Sequence, residues 1–546
     1  MIHRIPPGTR DVLPAELREL RRMQGALAAV FERFGYGEVA TPTIEYDEVL
    51  ARGDERGALS AYRFFDADGA LLAMRTDMTI PIARVVATRL AGTEPPFRLS
   101  YFANAYRAVR PQRGQMREFA QAGVELVGAD APDGTAEVIE VLSAALDAVG
   151  LTRAVIGLGD ADLYRQLLAE LAVPEEPRDR ILELLAAHDL GGLEGEVAAL
   201  GLDSAARETL LRLPNLRGGS EVLDEARHLG GAAVERATER LSATFRAAEA
   251  RGVGPRINLD LGLLRDLGYY TGAILEVYDP ALGHVLGGGG RQPLLLGLGD
   301  VHPLQVEREP GRRRARGGVV RLGDVSASRA RGDGGLKVAL PRGALFDGTL
   351  DLLDRIGVDT TSLRSDSRSL VFEADGLMLV TMRPSDVPTY VEAGAADVGI
   401  TGKDVLLEQR DRAVYELLDL RYGACRLVLA ARRGDDALDE AERRLGAMRI
   451  ATKYPRAAER WFQEAGRRAE VIEVKGSVEL APLVGLADGI VDLVDTGRTL
   501  AENDLEVREE IVECTARFVA NRVSHKLRSA EVDELTARLR AQVGRR

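Results

Sequence analysis

From Leu336 onward, short apolar runs alternate with stretches of helical periodicity, the pattern of a parallel α/β fold. No other feature limits the choice of fold as strongly. LKVALPRGAL is a strand that ends at Pro341-Arg342-Gly343 and gives way to a helix reaching about Ile356. Leu377–Glu408 reads as strand, helix, strand, glycine turn and helix. Further strands begin at Cys425, Arg449 and Ala469, and Gly476–Asp488 reads as a turn and helix. The run Gly489–Leu500, GIVDLVDTGRTL, carries the most chemistry. Ile490, Val491, Leu493 and Val494 surround Asp492, which reads as a buried strand. Asp495-Thr496-Gly497-Arg498-Thr499 then reads as a strand-to-helix turn, where Gly497 lets the backbone approach a ligand closely. Backbone N–H groups, two threonine hydroxyls and one arginine at such a turn suit a phosphate. Asp492 and Asp495 suit ribose hydroxyls or Mg²⁺, which takes oxygen ligands. The same twelve residues also compose an ordinary strand followed by an N-cap threonine and a glycine turn.

The chain has 546 residues, too many for one core, and 45% of them are apolar, enough to build several. Its formal charge of −13 argues against a general nucleic-acid binder, which shows a basic face. No run approaches the length of a membrane span, and MIHRIPPGTRDVLP holds no apolar segment of signal-peptide type. Two cysteines imply no disulfide framework and fit a reducing cytoplasm. Six scattered histidines with no CxxC argue against a zinc site.

The first part of the chain is organised differently. A helix from about Ala15 to Phe34 carries Leu17, Leu20, Met23, Leu27, Val30 and Phe31 on one stripe. Phe97–Tyr106 and Arg117–Val127 read as a hairpin-like strand pair. By parity, Ala120, Ala122, Val124 and Leu126 belong to a core, while Phe119, Gln121, Gly123, Glu125 and Val127 share the other face. Gln121 and Glu125 with a glycine between them leave room for a small polar ligand, and a solvent-facing strand has the same pattern. Residues 151–256 read as a helical insertion with no site. Arg308–Arg331 holds eight arginines among Gly, Ser and Asp. It reads as part of a linker over 292–335, with a basic nucleic-acid arm or a slipped reading frame as the alternatives, the last settled by resequencing.

Tyr106–Gly128, YRAVRPQRGQMREFAQAGVELVG, resembles motif 2 of class II aminoacyl-tRNA synthetases in its histidyl version. PGTRDVLP, LLRDLGYYTGAILEVY (Leu263–Tyr278) and GGGGR (Gly287–Arg291) resemble three further stretches of that family, with Asp266 where glycine is usual. The resemblance covers residues 1–291 and implies an antiparallel-sheet domain of class II synthetase type. It places an amino-acid pocket on Asp77, Thr79, Arg107, Gln121, Glu125, Arg265 and Tyr270. Glu125 and Asp77 could then pair with an α-ammonium and Arg107 with a carboxylate. The departures are informative. Val109 stands where motif 2 carries the ATP-holding glutamate, and neither motif 3 nor an anticodon-binding domain is found. A synthetase-like body without adenylate chemistry resembles the regulatory subunit of ATP phosphoribosyltransferase.

Residues 336–528 resemble the short-form catalytic subunit of the same enzyme family, in LPRGAL, SRSL, RPSDVPTYVEAGAADVGITGKDVL, ATKYP and GSVELAPLVGLADGIVDLVDTGRTL. This implies a two-lobed α/β body resembling periplasmic binding proteins, with the site in the cleft. The implied reaction joins N1 of ATP to C1′ of phosphoribosyl diphosphate (PRPP), releasing diphosphate in the first step of histidine biosynthesis. Positive charge develops at C1′ as diphosphate leaves, so positioning, Mg²⁺ and cations matter more than a nucleophile. Asp492 and Asp495 are assigned to ribose hydroxyls or Mg²⁺, and Thr496, Gly497, Arg498 and Thr499 to the 5-phosphate. Arg342, Arg368, Arg383, Lys403 and Lys453, at strand ends or turns, are assigned to triphosphate and diphosphate oxygens. Asp492, Asp495, Arg342 and Lys403 make the catalytic set, with Asp404 a weaker candidate.

The expectation is thus a fused enzyme: a histidine-sensing module, a linker, a transferase and a C-terminal helix over 529–546 whose Val532, Leu535, Leu539 and Val543 suit an oligomer contact. Histidine is the expected feedback inhibitor and a homo-oligomer the expected assembly, a tetramer being simplest. The runner-up is an unregulated transferase whose first half is only an oligomerisation scaffold. A working histidyl-tRNA synthetase comes third, opposed by Val109 and the missing motif 3. A solute-binding protein is disfavoured by the PRPP-type turn.

Overall fold

A computed structural model of the chain describes residues 5–6, 8–53, 60–108, 116–264, 270–280, 285–293, 300–307, 335–364, 369–410, 412–434, 436–445 and 447–543. The chain divides into two compact units, Met1–Arg331 and Gly332–Arg546. The boundary falls inside the expected linker. Arg265, Arg368 and the arginine-rich stretch over 308–331 lie outside the described residues.

The first unit is built on one large sheet. Its strands are β1 (Gly37–Glu38), then, after three strands described below, β5 (Phe97–Tyr106), β6 (Glu118–Val127), β7 (Val155–Asp160), β8 (Arg217–Gly218), β9 (Ile257–Asp260), β10 (Ala273–Tyr278), β11 (Val285–Gly290), β12 (Gln292–Pro293) and β13 (Asp300–Glu307). The order is β1-β5-β6-β13-β11-β10-β7-β9-β8, with β12 on β13, and most pairs are antiparallel. Between β1 and β5 a small sheet, β2-β4-β3, is formed by β2 (Ile44–Tyr46), β3 (Arg63–Phe65) and β4 (Leu71–Met74). The expected hairpin is present, with Tyr101 opposite Gly123 and Leu99 opposite Glu125.

Three expectations change here. The stretch 292–335 is not all linker, because β13 lies between β6 and β11 and completes the middle of the sheet. The insertion is helical from Leu163 to Ala250, apart from β8, but 155–160 is a sheet strand. The parity of β6 is correct, yet Ala120 is exposed and the Gln121/Glu125 face is buried. That face is covered by helix Thr79–Arg89, whose Ile82 and Val86, with the preceding Met78, pack on Tyr101 and Val127, so it is not solvent-facing. The first helix, Pro14–Arg33, buries Leu27, Val30 and Phe31, while Leu17, toward its N-terminus, remains exposed.

The second unit contains two sheets. One holds β14 (Lys337–Pro341), β15 (Val371–Ala374), β16 (Leu377–Met382), β17 (Val398–Gly402), β18 (Val414–Asp419) and the last strand of the chain, β24 (Ala516–Asn521). The other holds β19 (Cys425–Arg432), β20 (Met448–Thr452), β21 (Ala469–Glu473), β22 (Gly489–Val494) and β23 (Leu505–Cys514). Both are mixed rather than parallel. Parallel β16-β14-β17 and β21-β20-β22 cores carry antiparallel strands beside them. The chain passes between the lobes twice, from β18 to β19 and from β23 to β24, and the passages run side by side. Leu420 N donates to Ala516 O and Ala516 N to Tyr422 O, each at 2.9 Å. The C-terminal helix, Ser529–Val543, is not an open oligomer surface. Its Val532, Leu535 and Leu539 are buried within this unit, where the helix packs on helix Phe346–Arg355.

Candidate functional site

Asp492 owes its position to the alternation of β22. Val491 enters one core with Leu427, Leu429, Ile450 and Phe462, while Ile490 and Val494 enter the other with Val428, Ala430 and Leu500. Asp492 shares the second face and is only 8% exposed. Its Oδ1 accepts from the Leu493 N–H at 2.9 Å, and Lys453 Nζ stands 3.8 Å from Oδ2. Burial nevertheless raises its pKa above the ordinary carboxylate value, with Glu479 adding to the rise and Leu493 and Lys453 opposing it. The strand then opens into the turn. Asp495, Thr496, Arg498 and Thr499 are exposed, Gly497 adopts φ +77°, and a short helix follows over Arg498–Glu502. A residue with Cβ resists that backbone conformation, which is the physical reason for glycine at 497.

Four of the five candidate cations follow the carboxyl ends of parallel strands. Arg342 follows β14, Arg383 follows β16, Lys403 follows β17 and Lys453 follows β20. Arg342 is exposed, donating through Nε to Thr381 Oγ1 at 3.0 Å and through Nη2 to Ser369 O at 3.2 Å. Arg383 is exposed and Lys453 is 40% exposed. Lys403 differs from the expectation of an open phosphate ligand, because its ammonium is paired at 2.8 Å with the buried Glu416 of β18.

The two carboxyl edges meet across the lobes. Tyr454, after β20, donates its hydroxyl to Asp404, after β17, at 3.3 Å. Burial raises both groups' pKa values, and the carboxylates of Asp404 and Asp492 push the phenol further up. A second bridge closes helix Pro455–Glu464. Pro455 has no N–H, Ala458 N bonds to Tyr454 O, and the remaining first-turn donors, Arg456 N and Ala457 N, both reach Glu408 Oε2 from the other lobe at 3.0 and 3.1 Å. Replacing Glu408 by Ala is expected to destabilise this unit by about 1 kcal/mol, the usual effect of losing such a cap. Glu408→Gln keeps one acceptor and should fall between the two in thermal unfolding. Tyr454, Glu408 and Glu416 were not singled out from sequence, although Tyr454 sits in ATKYP beside Lys453.

The first unit holds a second candidate site. Glu125 is fully buried in β6; its Oε1 accepts from Thr79 Oγ1 at 2.8 Å, and Oε2 has no hydrogen-bond partner among the described residues. Burial drives its pKa well above the ordinary value; the Thr79 hydroxyl opposes that and the charge of Asp77 adds to it. Gln121 is buried two residues before Gly123 on the same face. Register extends that face. Glu125 pairs with Pro303 of β13, and the β13/β11 ladder runs on to bring Gly290 beside the same point. A Cβ on Gly290 would lie 2.7 Å from the Tyr270 ring, so this glycine is what admits Tyr270 to the face Glu125 shares. Arg165 Nη2 fixes the Tyr270 carbonyl at 2.5 Å. Arg107 follows β5 with its guanidinium 4.7 Å from the Phe119 ring centroid.

A large, mostly antiparallel sheet in one unit and a two-lobed α/β body in the other are the folds of a pentosyltransferase carrying a synthetase-like domain. Residues 8–295 match the family model of histidyl-tRNA synthetase, and residues 383–541 that of ATP phosphoribosyltransferase. An ATP phosphoribosyltransferase of Rubrobacter xylanophilus is 54% identical over 206 residues, 37% of this chain and 94% of that protein. An ATP phosphoribosyltransferase regulatory subunit of Desulforamulus reducens is 40% identical over 295 residues, 54% of this chain and 73% of that protein. A crystal structure of an ATP phosphoribosyltransferase regulatory subunit/histidyl-tRNA synthetase from Bacillus halodurans superposes with a TM-score of 0.54 at 26% identity, covering 70% of this chain and 93% of that one. The chain belongs to the ATP phosphoribosyltransferase family, joining a regulatory, histidyl-tRNA-synthetase-like part and the catalytic part in one polypeptide.

Proposed function

We propose that the second unit binds PRPP on the 495–499 turn and ATP along the carboxyl edges of β14, β16 and β20, and that histidine bound at Glu125 in the first unit inhibits it. The observation that carries the catalytic part is the convergence of Asp492, Lys453, Tyr454 and Asp404 where the lobes meet. Thr496, Arg498, Thr499 and the turn's N–H groups hold the 5-phosphate, and Arg342, Arg383 and Lys453 face the polyphosphates. Lys403 acts through Glu416, bracing the turn after β17. No general base is required, since adenine N1 carries no proton. Asp492 and Asp495 would hold Mg²⁺, which takes oxygen ligands. When bound it neutralises the departing diphosphate. Chelation with EDTA is expected to stop turnover, with excess Mg²⁺ restoring it.

The regulatory part rests on the open Oε2 of buried Glu125, which suits an ammonium, with Arg107 and Tyr270 as further contacts. We place the enzyme in the cytoplasm as a homo-oligomer; among the described residues no helix is long and apolar enough to cross a membrane. The deciding experiment is ATP- and PRPP-dependent formation of phosphoribosyl-ATP by the purified chain, with and without histidine. Formation suppressed by histidine supports both sites. Formation indifferent to histidine leaves the first unit a scaffold, and no formation removes the catalytic assignment.

A further inference from the structure

The two cysteines of the chain, Cys425 and Cys514, face each other directly across the β19/β23 ladder. Directly opposed residues of an antiparallel pair have Cα atoms about 4.5–5.5 Å apart, inside the window a disulfide needs. Both thiols are free. Their place in the fold is specific. Cys425 is the first residue of β19 after the passage from the first lobe, and Cys514 is the last residue of β23 before the passage back. Thr515 follows at once, bonding to Asp419 Oδ1 at 2.7 Å, and Arg517 pairs with Asp419 Oδ2 at 2.9 Å. On its other side β19 pairs with β22, whose register sets Cys425 beside the root of the 495–499 turn.

We infer that Cys425 and Cys514 form a redox modification site at the interlobe hinge, closed by low-molecular-weight disulfides such as oxidised glutathione. The half-buried Cys425 is the accessible thiol and Cys514 the buried one. The Cys425 thiolate attacks one sulfur of the glutathione disulfide, forming a mixed disulfide and releasing a glutathione thiolate. Cys514, deprotonated, then attacks Cys425 Sγ and expels the second glutathione, so two protein thiols are oxidised and one disulfide is reduced. The product ties β19 to β23 where the two passages leave the second lobe. Rotation of the lobes about these passages is then restricted, and turnover falls because opening and closing of the cleft require it.

The test uses the full chain, fully reduced and freed of reductant, titrated with oxidised glutathione. Peptide mass spectrometry and thiol titration under denaturation read the bond; phosphoribosyl-ATP formation reads its effect. The expected result is an intramolecular Cys425–Cys514 linkage, loss of both titratable thiols, and a drop in turnover of about fivefold or more that dithiothreitol reverses. Cys514→Ser should instead hold one glutathione on Cys425, and Cys425→Ser should stay unmodified. Retention of both thiols in excess oxidant, a linkage between chains, or the internal linkage with unchanged turnover would overturn the inference. The site rests on the proposed catalytic reading only for its effect on rate. Reduced enzyme is assayed first, and an inactive reduced chain would count against that reading while the linkage alone decides the modification site.

Discussion

Asp492→Asn is expected to raise the thermal stability of the second unit at neutral pH while reducing phosphoribosyl transfer by about a hundredfold or more. The two effects have one cause. Asp492 sits in a core face of β22, where burial holds its proton more tightly than in the unfolded chain. A carboxyl with a raised folded pKa favours folding most where it is protonated. Stability therefore declines as pH rises from the unfolded pKa through the raised folded one, and the loss persists above it. Asparagine removes the ionisation but keeps the shape, so its advantage over aspartate is greatest above that interval and vanishes in acid. The group that destabilises the strand is also the one assigned to ribose hydroxyls or Mg²⁺, with Lys453 3.8 Å away. Thermal unfolding across pH, together with the transferase assay, checks both halves. An Asn variant with unchanged turnover would remove Asp492 from the substrate or metal contacts.

Much of this arrangement was legible in the sequence because it is local. The strand, glycine turn and short helix over 489–502 follow from an apolar run and a residue that tolerates φ +77°. The parity of β6 separated Glu125 from Val124 correctly. What the sequence hid is set by partners far along the chain. Lys403 looked like an open cation because Glu416 lies on another strand. By parity the face holding Gln121 and Glu125 read better as a solvent-facing one, and only helix Thr79–Arg89 decides against that. β13 was lost in an arginine- and glycine-rich surrounding that resembles a linker, although VHPLQVE alternates as a strand should. The stripe of the C-terminal helix was evident, but a stripe does not say what covers it; here its own unit does. Most tellingly, the contacts that join the lobes, Tyr454 to Asp404 and Glu408 to the first turn of helix Pro455–Glu464, arise from segments that follow different strands and carry no common motif.

Glu125→Gln is expected to raise the histidine concentration needed for half-inhibition by about thirtyfold or more, the effect of some 2 kcal/mol lost with a buried charge pair. The reasoning begins with an unliganded carboxyl that burial and Asp77 hold in its protonated form well above the usual range. An incoming ammonium at Oε2 reverses the balance, since a positive charge within hydrogen-bond reach favours the carboxylate. Histidine binding must then release the proton from Glu125. Affinity accordingly rises with pH as the free carboxyl approaches its own pKa, and falls in acid, where the proton has to be displaced. Histidine's ring also titrates near neutrality, so the slope of inhibition with pH is not by itself decisive. Calorimetry in buffers of different ionisation enthalpy is, because a released proton makes the apparent binding enthalpy depend on the buffer. Wild-type chain should show that dependence and Glu125→Gln should lose it along with the affinity. Inhibition retained by the variant, with no buffer dependence in the wild type, would move the histidine site away from β6 and leave the glycine-lined face a remnant of the synthetase fold.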